Sequence, residues 1–395
     1  MCGIVGLVSR SADSADESRL VDKAITCLSH RGPDGSGNKS YKLENSTSVY
    51  FGHTRLAIID LSDDGLQPFE SRDSRYSLTY NGEIYNYLEI RKELENLGVQ
   101  FRSSSDTEVL LEALIQWRES ALDKLEGMFA FAFLDRRTNS LLLARDPFGI
   151  KPLHYVLSDG KFGFSSELRA LRSMFPHLNK VDKKISADFL AFGYSEMTAS
   201  TFFAGISSVL PGHYLKVDLK NGVQLERPVK YWNPDFSKVT NIGFEEAKST
   251  FRDLLLESVS LHMRSDVAVG AALSGGLDSS SIVSLMRHIH PDAEIHTFSY
   301  LASDPRVNEE IWVDKVTAWS KTIPHKVHLD EKVLFEKDLD SLIRAQGEPF
   351  STLSIYAQFK VFELAQNAGI KVTLDGQGAD ELLAGYSGFP ESRLL

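Results

Sequence analysis

Short apolar runs separated by turn residues dominate the first half of the chain, and they predict β-strands. The predicted strands cover residues 3–8, 51–60, 76–79, 127–134, 140–144, 161–165 and 213–219. Apolar side chains recur every three or four positions over residues 18–29 and 109–117, which predicts two amphipathic helices. Many strands with few helices are typical of stacked sheets covered by helices.

Strands and helices alternate in the second half, after an amphipathic helix predicted over residues 244–263. The pattern predicts strands at 267–273, 294–300, 324–329 and 370–374, and helices at 280–290, 308–321, 331–344 and 353–368. This alternation implies a parallel sheet with helices on its faces, where ligands bind at the carboxyl ends of the strands. Turn residues are frequent between the halves, so we predict domains at 2–215 and 244–395 joined by a linker at 216–243.

Composition narrows the class of protein. Hydrophobic residues make up 42% and charged residues 25% of the chain, as in ordinary globular proteins. A net charge of −11 argues against a nucleic-acid partner. The sequence has no signal-peptide pattern and no apolar run long enough for a membrane span. Two cysteines exclude a disulfide framework, so we expect a cytoplasmic protein.

Cys2 is one proteolytic step from the N-terminus. Removal of Met1 would leave one residue with both a thiol and an α-amine, whose pKa of about 8 allows it to act as the base for the thiol. A lone cysteine is more often a packed structural residue, and Cys27, inside a predicted helix, is interpreted in that way. A catalytic role for Cys2 therefore needs support from other residues.

Three further positions carry chemistry that such a nucleophile needs. The guanidinium of Arg55 suits bidentate capture of a carboxylate, although a surface charge is the commoner use of an arginine. Asn81-Gly82 is usually only a hairpin turn, but an amide and a backbone N–H can also form an oxyanion hole. Asp106 fits the N-cap of the helix that follows it, and its carboxylate could also bind an ammonium group.

Five motifs occur in one order and are together very specific. They are MCGI at residues 1–4, HRGPDG at 30–35, NGEIYN at 81–86, SDTE at 105–108 and RDPFG at 145–149. Over residues 2–215 the chain resembles the class II glutamine amidotransferase domain, an N-terminal nucleophile hydrolase fold of αββα layers. The resemblance implies these roles: nucleophile, Cys2; oxyanion donors, Asn81 and Gly82; glutamine binding, Arg55, Asn81, Glu83 and Asp106.

A loop rich in glycine and serine, SGGLDSS at residues 274–280, separates a predicted strand from a predicted helix. This layout points backbone N–H groups and a helix dipole at an anion, whereas the other interpretation is an ordinary tight turn. The loop resembles the pyrophosphate loop of ATP pyrophosphatases, which implies ATP as a substrate, Mg²⁺ bound by Asp278, and an adenine nucleotide α-hydrolase-like domain. The implied contacts to ATP or pyrophosphate are Ala272, Ser274, Gly275, Gly276, Asp278, Ser279, Ser280, Tyr300, Asp375 and Gly376.

A second loop, DGQGADE at residues 375–381, resembles the asparagine synthetase signature SGEG(S/A)DE. The resemblance makes Asp380 the second Mg²⁺ carboxylate and places Gln377 where the family has a glutamate associated with the acyl-adenylate. Because glutamine cannot act as a base, either another group takes this role or the acceptor is not aspartate. Relatives continue beyond the position of Leu395, so we expect a synthetase half that is incomplete at its C-terminus.

The resemblances together imply a two-domain protein of α+β and α/β type, a glutamine-dependent asparagine synthetase. Its expected substrates are glutamine, ATP and aspartate or a related carboxylate, and family members are often homodimers. Three alternatives stay open: an amidotransferase acting on sugar phosphates, a β-lactam synthetase, and a truncated glutaminase or binding module. The loop at 274–280 argues against the first, and the intact set around Cys2 argues against the second.

Overall fold

The computed structural model describes residues 1–10, 14–194, 197–235, 237–304, 306, 308–328, 333–386 and 388–389 of the chain. The predicted strand end at 329, the predicted helix start at 331 and the chain end at Leu395 lie outside these residues. The chain forms two compact units, Met1–Val239 and Thr240–Leu395, which are described one at a time.

The first unit is built on two antiparallel sheets. Its strands are β1 (Gly3–Ser9), β2 (Gly35–Lys42), β3 (Ser48–Arg55), β4 (Phe69–Glu70), β5 (Tyr76–Ile84), β6 (Gly127–Asp135), β7 (Ser140–Arg145), β8 (His154–Ser158), β9 (Lys161–Ser165), β10 (Ser207–Ser208), β11 (His213–Asp218), β12 (Gln224–Leu225) and β13 (Val229–Lys230). The first sheet has the order β10-β8-β9-β1-β3-β2. The second has the order β12-β11-β7-β6-β5-β4, with β13 paired to β11.

Helices cover the outer face of each sheet. They are α1 (Ser14–Cys27), α2 (Tyr87–Asn96), α3 (Asp106–Trp117) and α4 (Leu168–Met174), and a further helix, α5, spans Lys183–Phe192. Side chains of α1 and α4 share a core with β1, while those of α2 and α3 share a core with β5 and β6. A third core lies between the two sheets. The four layers confirm the predicted αββα arrangement.

The second unit is an α/β structure with one parallel sheet. Its strands are β14 (Val269–Ala272), β15 (His296–Leu301), β16 (Ile323–His328) and β17 (Val372–Leu374). Its helices are α6 (Phe244–His262), α7 (Leu277–Ile289), α8 (Glu310–Ser320), α9 (Leu339–Gln346), α10 (Ser354–Asn367) and α11 (Ala379–Leu383). All pairs in the order β16-β15-β14-β17 are parallel, which confirms the predicted sheet and brings four carboxyl ends to one edge.

Several elements differ from their predicted extents. The strand expected over residues 51–60 ends at Arg55, because β1 and β2 run out of pairing residues there. The helix expected over 331–344 includes a π-helical turn at Leu334–Asp338 before α9. The residues expected to form the linker, 216–243, include the short strands β12 and β13 of the second sheet.

Among the residues that the structure describes, no helix has both the length and the apolar character needed to cross a membrane. The predicted cytoplasmic location and homodimer stay predictions.

Candidate active sites

Strand alternation places Cys2 and Arg55 in the space between the two sheets of the first unit. Successive side chains of a strand face opposite sides, and Ile4 of β1 and Phe51 of β3 belong to the core between the sheets. Cys2 and Arg55 have the same parity as these residues, so they face that space too. Gly3 lies opposite Thr54, and the next position of the register sets Cys2 beside Arg55.

Two hydrogen bonds hold Cys2 in place, and an ion pair fixes the arginine that makes one of them. The Leu56 N–H donates to Cys2 Sγ over 3.4 Å, and this is one reason why β3 stops at Arg55. Arg31 Nε donates to the Cys2 carbonyl over 2.9 Å, and its Nη1 pairs with Glu167 Oε1 at 3.0 Å. The HRGPDG motif thus forms one side of the site. The sequence pattern contained no signal for Glu167.

Burial governs the titration of the chain start. It lowers the pKa of the Met1 α-amine to about 5. Arg31 and Lys151 also lower this pKa, whereas the Cys2 thiolate raises it. Burial also raises the pKa of the Cys2 thiol, against the effect of the Leu56 N–H and of the nearby cations. The Met1 amine stands in for the Cys2 α-amine that removal of Met1 would produce. An amine that is neutral near pH 7 can accept the thiol proton.

Asn81 has a buried amide with no hydrogen-bond partner among the described residues. Both its side-chain nitrogen and its side-chain oxygen are unpaired, and the residue is 1% exposed. Tyr80 belongs to the core under the helices, so Asn81 and Glu83 face the first sheet instead. A buried donor without a partner is costly and rare, and it is the arrangement expected of an oxyanion donor before substrate binds.

The Gly82 N–H points away from β6. The residue opposite Gly82 is Phe129, and both backbone groups of Phe129 bond to Asp146. The Phe129 N–H donates to Asp146 Oδ2 at 3.3 Å, and the Phe129 carbonyl accepts from the Asp146 N–H at 2.8 Å. Both backbone groups of a residue in an antiparallel ladder point the same way, so Gly82 is not hydrogen-bonded to Phe129. A side chain at Gly82 would collide with the Met128 carbonyl, so the position requires glycine.

The N–H groups on either side of Gly82 along this edge of β5 are already bonded. The Tyr80 N–H donates to Gln67 Oε1 at 2.6 Å, and the Ile84 N–H donates to Asp106 Oδ2 at 3.1 Å. The Gly82 N–H lies between them and faces the same side. Sequence reasoning did not single out Gln67, which helps to fix this edge.

Asp106 does not cap its helix, which corrects the first of its two interpretations. The N-cap of α3 is Ser105, whose hydroxyl accepts from the Thr107 N–H at 3.2 Å. The Asp106 carboxylate instead accepts from the Tyr80 hydroxyl at 2.9 Å. Burial raises the pKa of Asp106 to about 6, against the hydrogen bonds from Ile84 and Tyr80 that lower it.

Glu83 is the second buried carboxylate of this site. It is 5% exposed, and burial raises its pKa to about 7, with Lys151 lowering it and Asp106 raising it further. Two buried carboxylates that act on each other's charge are suited to a cationic ligand such as an α-ammonium group.

Backbone carbonyls fix the guanidinium of Arg55. Nη1 donates to the Ser62 carbonyl at 2.6 Å, and Nη2 donates to the Asp60 carbonyl. The side chain is 6% exposed. These bonds use part of its five-donor fork and orient the rest, as bidentate carboxylate binding requires.

Lys151 lies in the same site, although sequence reasoning assigned it no role. It is 6% exposed, and its charge acts on Glu83 and Cys2. Burial lowers its pKa, and Glu83 opposes this effect. The residue lies two positions after the RDPFG motif, and its burial is a tertiary property that no residue pattern indicates.

In the second unit, the loop after β14 is organised by its own serines. Ser279 Oγ accepts from the Ser274 N–H at 3.2 Å, and Ser274 Oγ accepts from the Gly276 N–H at 3.3 Å. Gly275 has φ of +90°, a left-handed conformation that favours glycine. The loop ends at the N-terminus of α7, where the helix dipole favours an anion.

Ser280 and Ser281 differ within the first turns of α7. Ser280 Oγ is buried and has no partner among the described residues, whereas Ser281 Oγ donates to the Leu277 carbonyl at 2.8 Å. A buried unpaired hydroxyl beside the loop is available to a phosphate oxygen. Ser280 therefore fits its predicted role better than its neighbour would.

The two signature loops of the second unit touch each other. A Cβ on Gly376 would lie 2.9 Å from the Asp278 Cβ and 3.2 Å from the Ser279 N, so the backbone of the second loop packs directly on the first. Asp375 Oδ1 accepts from the Gln377 N–H at 2.9 Å and closes the turn. Gln377 itself is exposed. The structure thus brings these predicted positions together at the carboxyl edge of the sheet.

Ala272 and Tyr300 both border one small core cluster formed around Phe298. They end or nearly end the neighbouring strands β14 and β15. Their proximity is consistent with a shared apolar wall beside the loop.

Asp278 and Asp380 fit a Mg²⁺ site in which substrate phosphates supply further ligands. Asp278 lies in the first turn of α7, and Asp380 in the first turn of α11, where its Oδ1 packs against Gly385. No group of three or more metal-binding side chains occurs in the described ranges. Mg²⁺ is commonly held by one or two carboxylates together with substrate phosphates, so two are sufficient.

Two family models match the chain: a glutamine amidotransferase domain over residues 1–232, and asparagine synthase over residues 250–395. Asparagine synthetase [glutamine-hydrolyzing] 1 of Bacillus subtilis is 35% identical, covering 99% of this chain and 60% of its own length. Asparagine synthetase [glutamine-hydrolyzing] 3 of the same species is 33% identical, covering 100% and 66%. The chain therefore spans about 60% to 66% of the length of these curated relatives.

Among solved structures, the glutamine phosphoribosylpyrophosphate amidotransferase of B. subtilis aligns with a TM-score of 0.44 and 18% identity. The alignment covers 83% of this chain and 65% of that one. A TM-score this low supports no conclusion about the fold.

Proposed function

The chain belongs to the family of glutamine-hydrolysing asparagine synthetases, and on that premise we propose that it transfers the amide nitrogen of glutamine to a carboxylate activated by ATP. The finer proposal is that the carboxylate is the side chain of aspartate and that the product is asparagine. We assign glutamine hydrolysis to residues 2–215 and carboxylate activation to residues 244–395, joined by residues 216–243.

The observation that carries the proposal is the unpaired amide of Asn81. The amide is buried in the same intersheet space as Cys2. It lies beside Gly82, whose N–H points away from β6. Buried asparagine amides with a structural role usually have partners, because an unsatisfied buried amide costs about 1–3 kcal/mol. A site prepared for a developing oxyanion accounts for this cost.

The proposed glutaminase step follows from these groups. The Cys2 α-amine takes the thiol proton, and the thiolate attacks the side-chain amide carbon of glutamine while Asn81 and Gly82 hold the oxyanion. The α-ammonium then protonates the departing nitrogen, which leaves as ammonia. Water cleaves the resulting thioester to release glutamate and restore the thiol. Arg55 would bind the α-carboxylate of glutamine, and Glu83 with Asp106 its α-ammonium group.

The proposed synthetase step uses the two loops in contact. The loop at 274–280 would hold the pyrophosphate of ATP while the acceptor carboxylate attacks the α-phosphorus. Pyrophosphate leaves, ammonia attacks the acyl-adenylate, and AMP leaves as the amide forms. Asp278 and Asp380 would hold Mg²⁺, which when bound neutralises phosphate charge.

The decisive assay incubates the purified chain with glutamine, ATP, Mg²⁺ and a panel of carboxylic acids. Glutamate, ammonia, AMP, pyrophosphate and the amide product are measured together. We expect the amide of aspartate, with AMP and pyrophosphate formed in equal amounts. Glutamate and ammonia without AMP would contradict the synthetase proposal and leave a glutaminase.

Each half of the proposal has a matched control. Cys2→Ala should abolish glutamine use but leave ammonia-dependent amide formation, while Cys27→Ala should leave both unchanged. Asp278→Asn should abolish ATP/[³²P]pyrophosphate exchange, whereas Asp292→Asn, at an exposed position beyond α7, should not. Loss of both activities in the Cys2 variant would refute the two-site mechanism.

Ser280 tests the pyrophosphate loop directly. Ser280→Ala should weaken ATP binding in the exchange assay by about tenfold, since it removes one hydrogen bond to a charged group. Ser281→Ala, whose hydroxyl is already bonded to the helix backbone, should bind ATP as the unmodified chain does. Equal effects of the two variants would argue against the assigned loop.

One observation favours a second acceptor class. Gln377 is exposed on the second loop, where the family resemblance has a glutamate, and it cannot take up a proton as a carboxylate can. A carboxylic acid other than aspartate is therefore the second candidate. In the panel assay, the amide of that acid would form in a larger amount than asparagine. Gln377→Glu should shift the acceptor preference toward aspartate.

A further inference from the structure

Lys151 is a buried lysine of the first unit. It is 6% exposed, and within the described part of the chain its ammonium group makes no ion pair or hydrogen bond. An unpaired buried ammonium group is strongly unfavourable, so it is usually paired, neutralised or used. The surroundings of Lys151 indicate which of these applies.

The turn before Lys151 holds its backbone rigidly. Asp146, which is 0% exposed, accepts from the Lys151 N–H through Oδ2 at 2.9 Å. Arg145 Nε donates to the Lys151 carbonyl at 3.0 Å, and its Nη2 donates to the Gly149 carbonyl at 2.7 Å. Gly149 has φ of +67°, which suits a residue without a Cβ at this tight turn. The backbone of the lysine is thus held by Asp146 and Arg145 of its own turn.

Charged groups from several neighbouring elements act electrostatically on the Lys151 ammonium. The first strand contributes the chain start and Cys2, and the turn before β2 contributes Arg31. The second sheet contributes Glu83, and Asp146 comes from the turn itself. Asp106 of α3 acts on both Cys2 and Glu83. The nucleophile and its base therefore share one electrostatic environment with Lys151.

We propose that Lys151 is a positioning residue for the Cys2 nucleophile. The fixed positive charge of Lys151 favours both the Cys2 thiolate and the uncharged α-amine. The inference rests on the proposed glutaminase function. A cation beside a thiol stabilises the anion, and a cation beside an amine disfavours a second cation. Both effects favour transfer of the thiol proton away from the nucleophile. Lys151 thereby acts through Cys2 and does not need to touch glutamine.

The titration directions support this geometry. Burial has the largest effect on the pKa of the α-amine, and Arg31 and Lys151 both lower it further. Burial raises the pKa of the Cys2 thiol, while the Leu56 N–H, the α-amine and Lys151 each lower it. Removal of the Lys151 charge should therefore raise both pKa values.

The test compares pH profiles of the full chain and its variants, after mass spectrometry has confirmed that Met1 is removed. Two profiles are recorded: kcat/KM for glutamine hydrolysis, and the rate of Cys2 alkylation by iodoacetamide in a Cys27→Ala background. Lys151→Met should move the acidic limb of each profile to higher pH by about one unit, because an adjacent charge shifts a pKa by at least that much. Lys151→Arg should keep the unmodified profile.

The control is Lys42→Met, which removes the same charge from an exposed residue at the far end of β2 from Cys2. It should leave both profiles unchanged. If Lys151→Met fails to fold, Lys151→Gln carries the same test with a polar side chain.

A lower rate with an unshifted limb would overturn the inference, since that is the result of a structural role alone. An equal shift in Lys151→Arg would overturn it too, because charge would not be the cause. The alkylation profile needs no turnover. A chain that lacks glutaminase activity but shows the alkylation shift would refute the proposed function and support the role of Lys151.

Discussion

Replacement of Asn81 should separate activity from stability. Its amide nitrogen and oxygen are both buried and unpaired among the described residues, and each such group costs about 1–3 kcal/mol. Asn81→Leu replaces them with apolar atoms of similar volume. We therefore expect the free energy of unfolding, measured with urea, to stay the same or to rise by about 1 kcal/mol.

Glutaminase activity of Asn81→Leu should fall, although its stability should not. Loss of one oxyanion donor lowers kcat by a factor of about 10² to 10³, or about 3–4 kcal/mol of transition-state stabilisation. The donor acts on charge that develops in the transition state, so the KM for glutamine should change little. The assay is steady-state glutamate release from glutamine, with kcat and KM determined separately.

Asn86 provides the matched control, because its amide is fully used. It donates to the Lys124 carbonyl at 2.9 Å and accepts from the Glu126 N–H at 3.0 Å. Asn86→Leu should lower the free energy of unfolding by about 1–3 kcal/mol and leave kcat within a few-fold of the unmodified chain. The reasoning fails if Asn81→Leu destabilises as much as Asn86→Leu, or if its kcat falls less than tenfold.

Three further predictions follow from the same structure. Arg55→Lys should raise the KM for glutamine by about tenfold or more with a smaller change in kcat, because an ammonium group cannot bind a carboxylate through a fork; an unchanged KM would exclude this role. Glu83 has a folded pKa raised to about 7 from an ordinary 4.5, so the folded chain binds more protons between these values and its stability should fall as pH rises from about 4.5 to 7. Urea unfolding across this range should show that Glu83→Gln flattens the slope and stabilises the chain at pH 8, and an unaltered slope would contradict the shift. Gly376→Ala should reduce ATP/pyrophosphate exchange at least tenfold, since its Cβ would lie 2.9 Å from the Asp278 Cβ, whereas Gly388→Ala, with open space around its Cβ, should not.

Much of the fold could be predicted because it rests on local patterns. Short apolar runs indicated many strands of the two antiparallel sheets, although not β2 or β8, and strand–helix alternation in the second half indicated a parallel sheet. The motifs around Cys2, Asn81 and Asp106 were recognisable as an ordered set. Even the shared inward face of Cys2 and Arg55 follows from strand parity once the strands are known.

The errors fell where pairing or capping partners decided the outcome. The strand expected to reach residue 60 ends at Arg55, because its neighbours stop and the Leu56 N–H donates to Cys2 Sγ instead. Asp106 and Ser105 are both good N-cap residues by type, and only the positions of Tyr80 and Ile84 gave Asp106 another use.

The sequence by itself therefore predicted candidate residues for the chemistry and many of the elements that present them, since these predictions depend on side-chain type and short-range periodicity. The tertiary structure alone decided which groups are buried, among them the Lys151 ammonium, and the Asn81 amide and Ser280 hydroxyl, which have no hydrogen-bond partner among the described residues. It also decided the raised pKa values of Glu83 and Asp106. Burial and charge proximity sum over residues far apart in the chain, so no local pattern reports them.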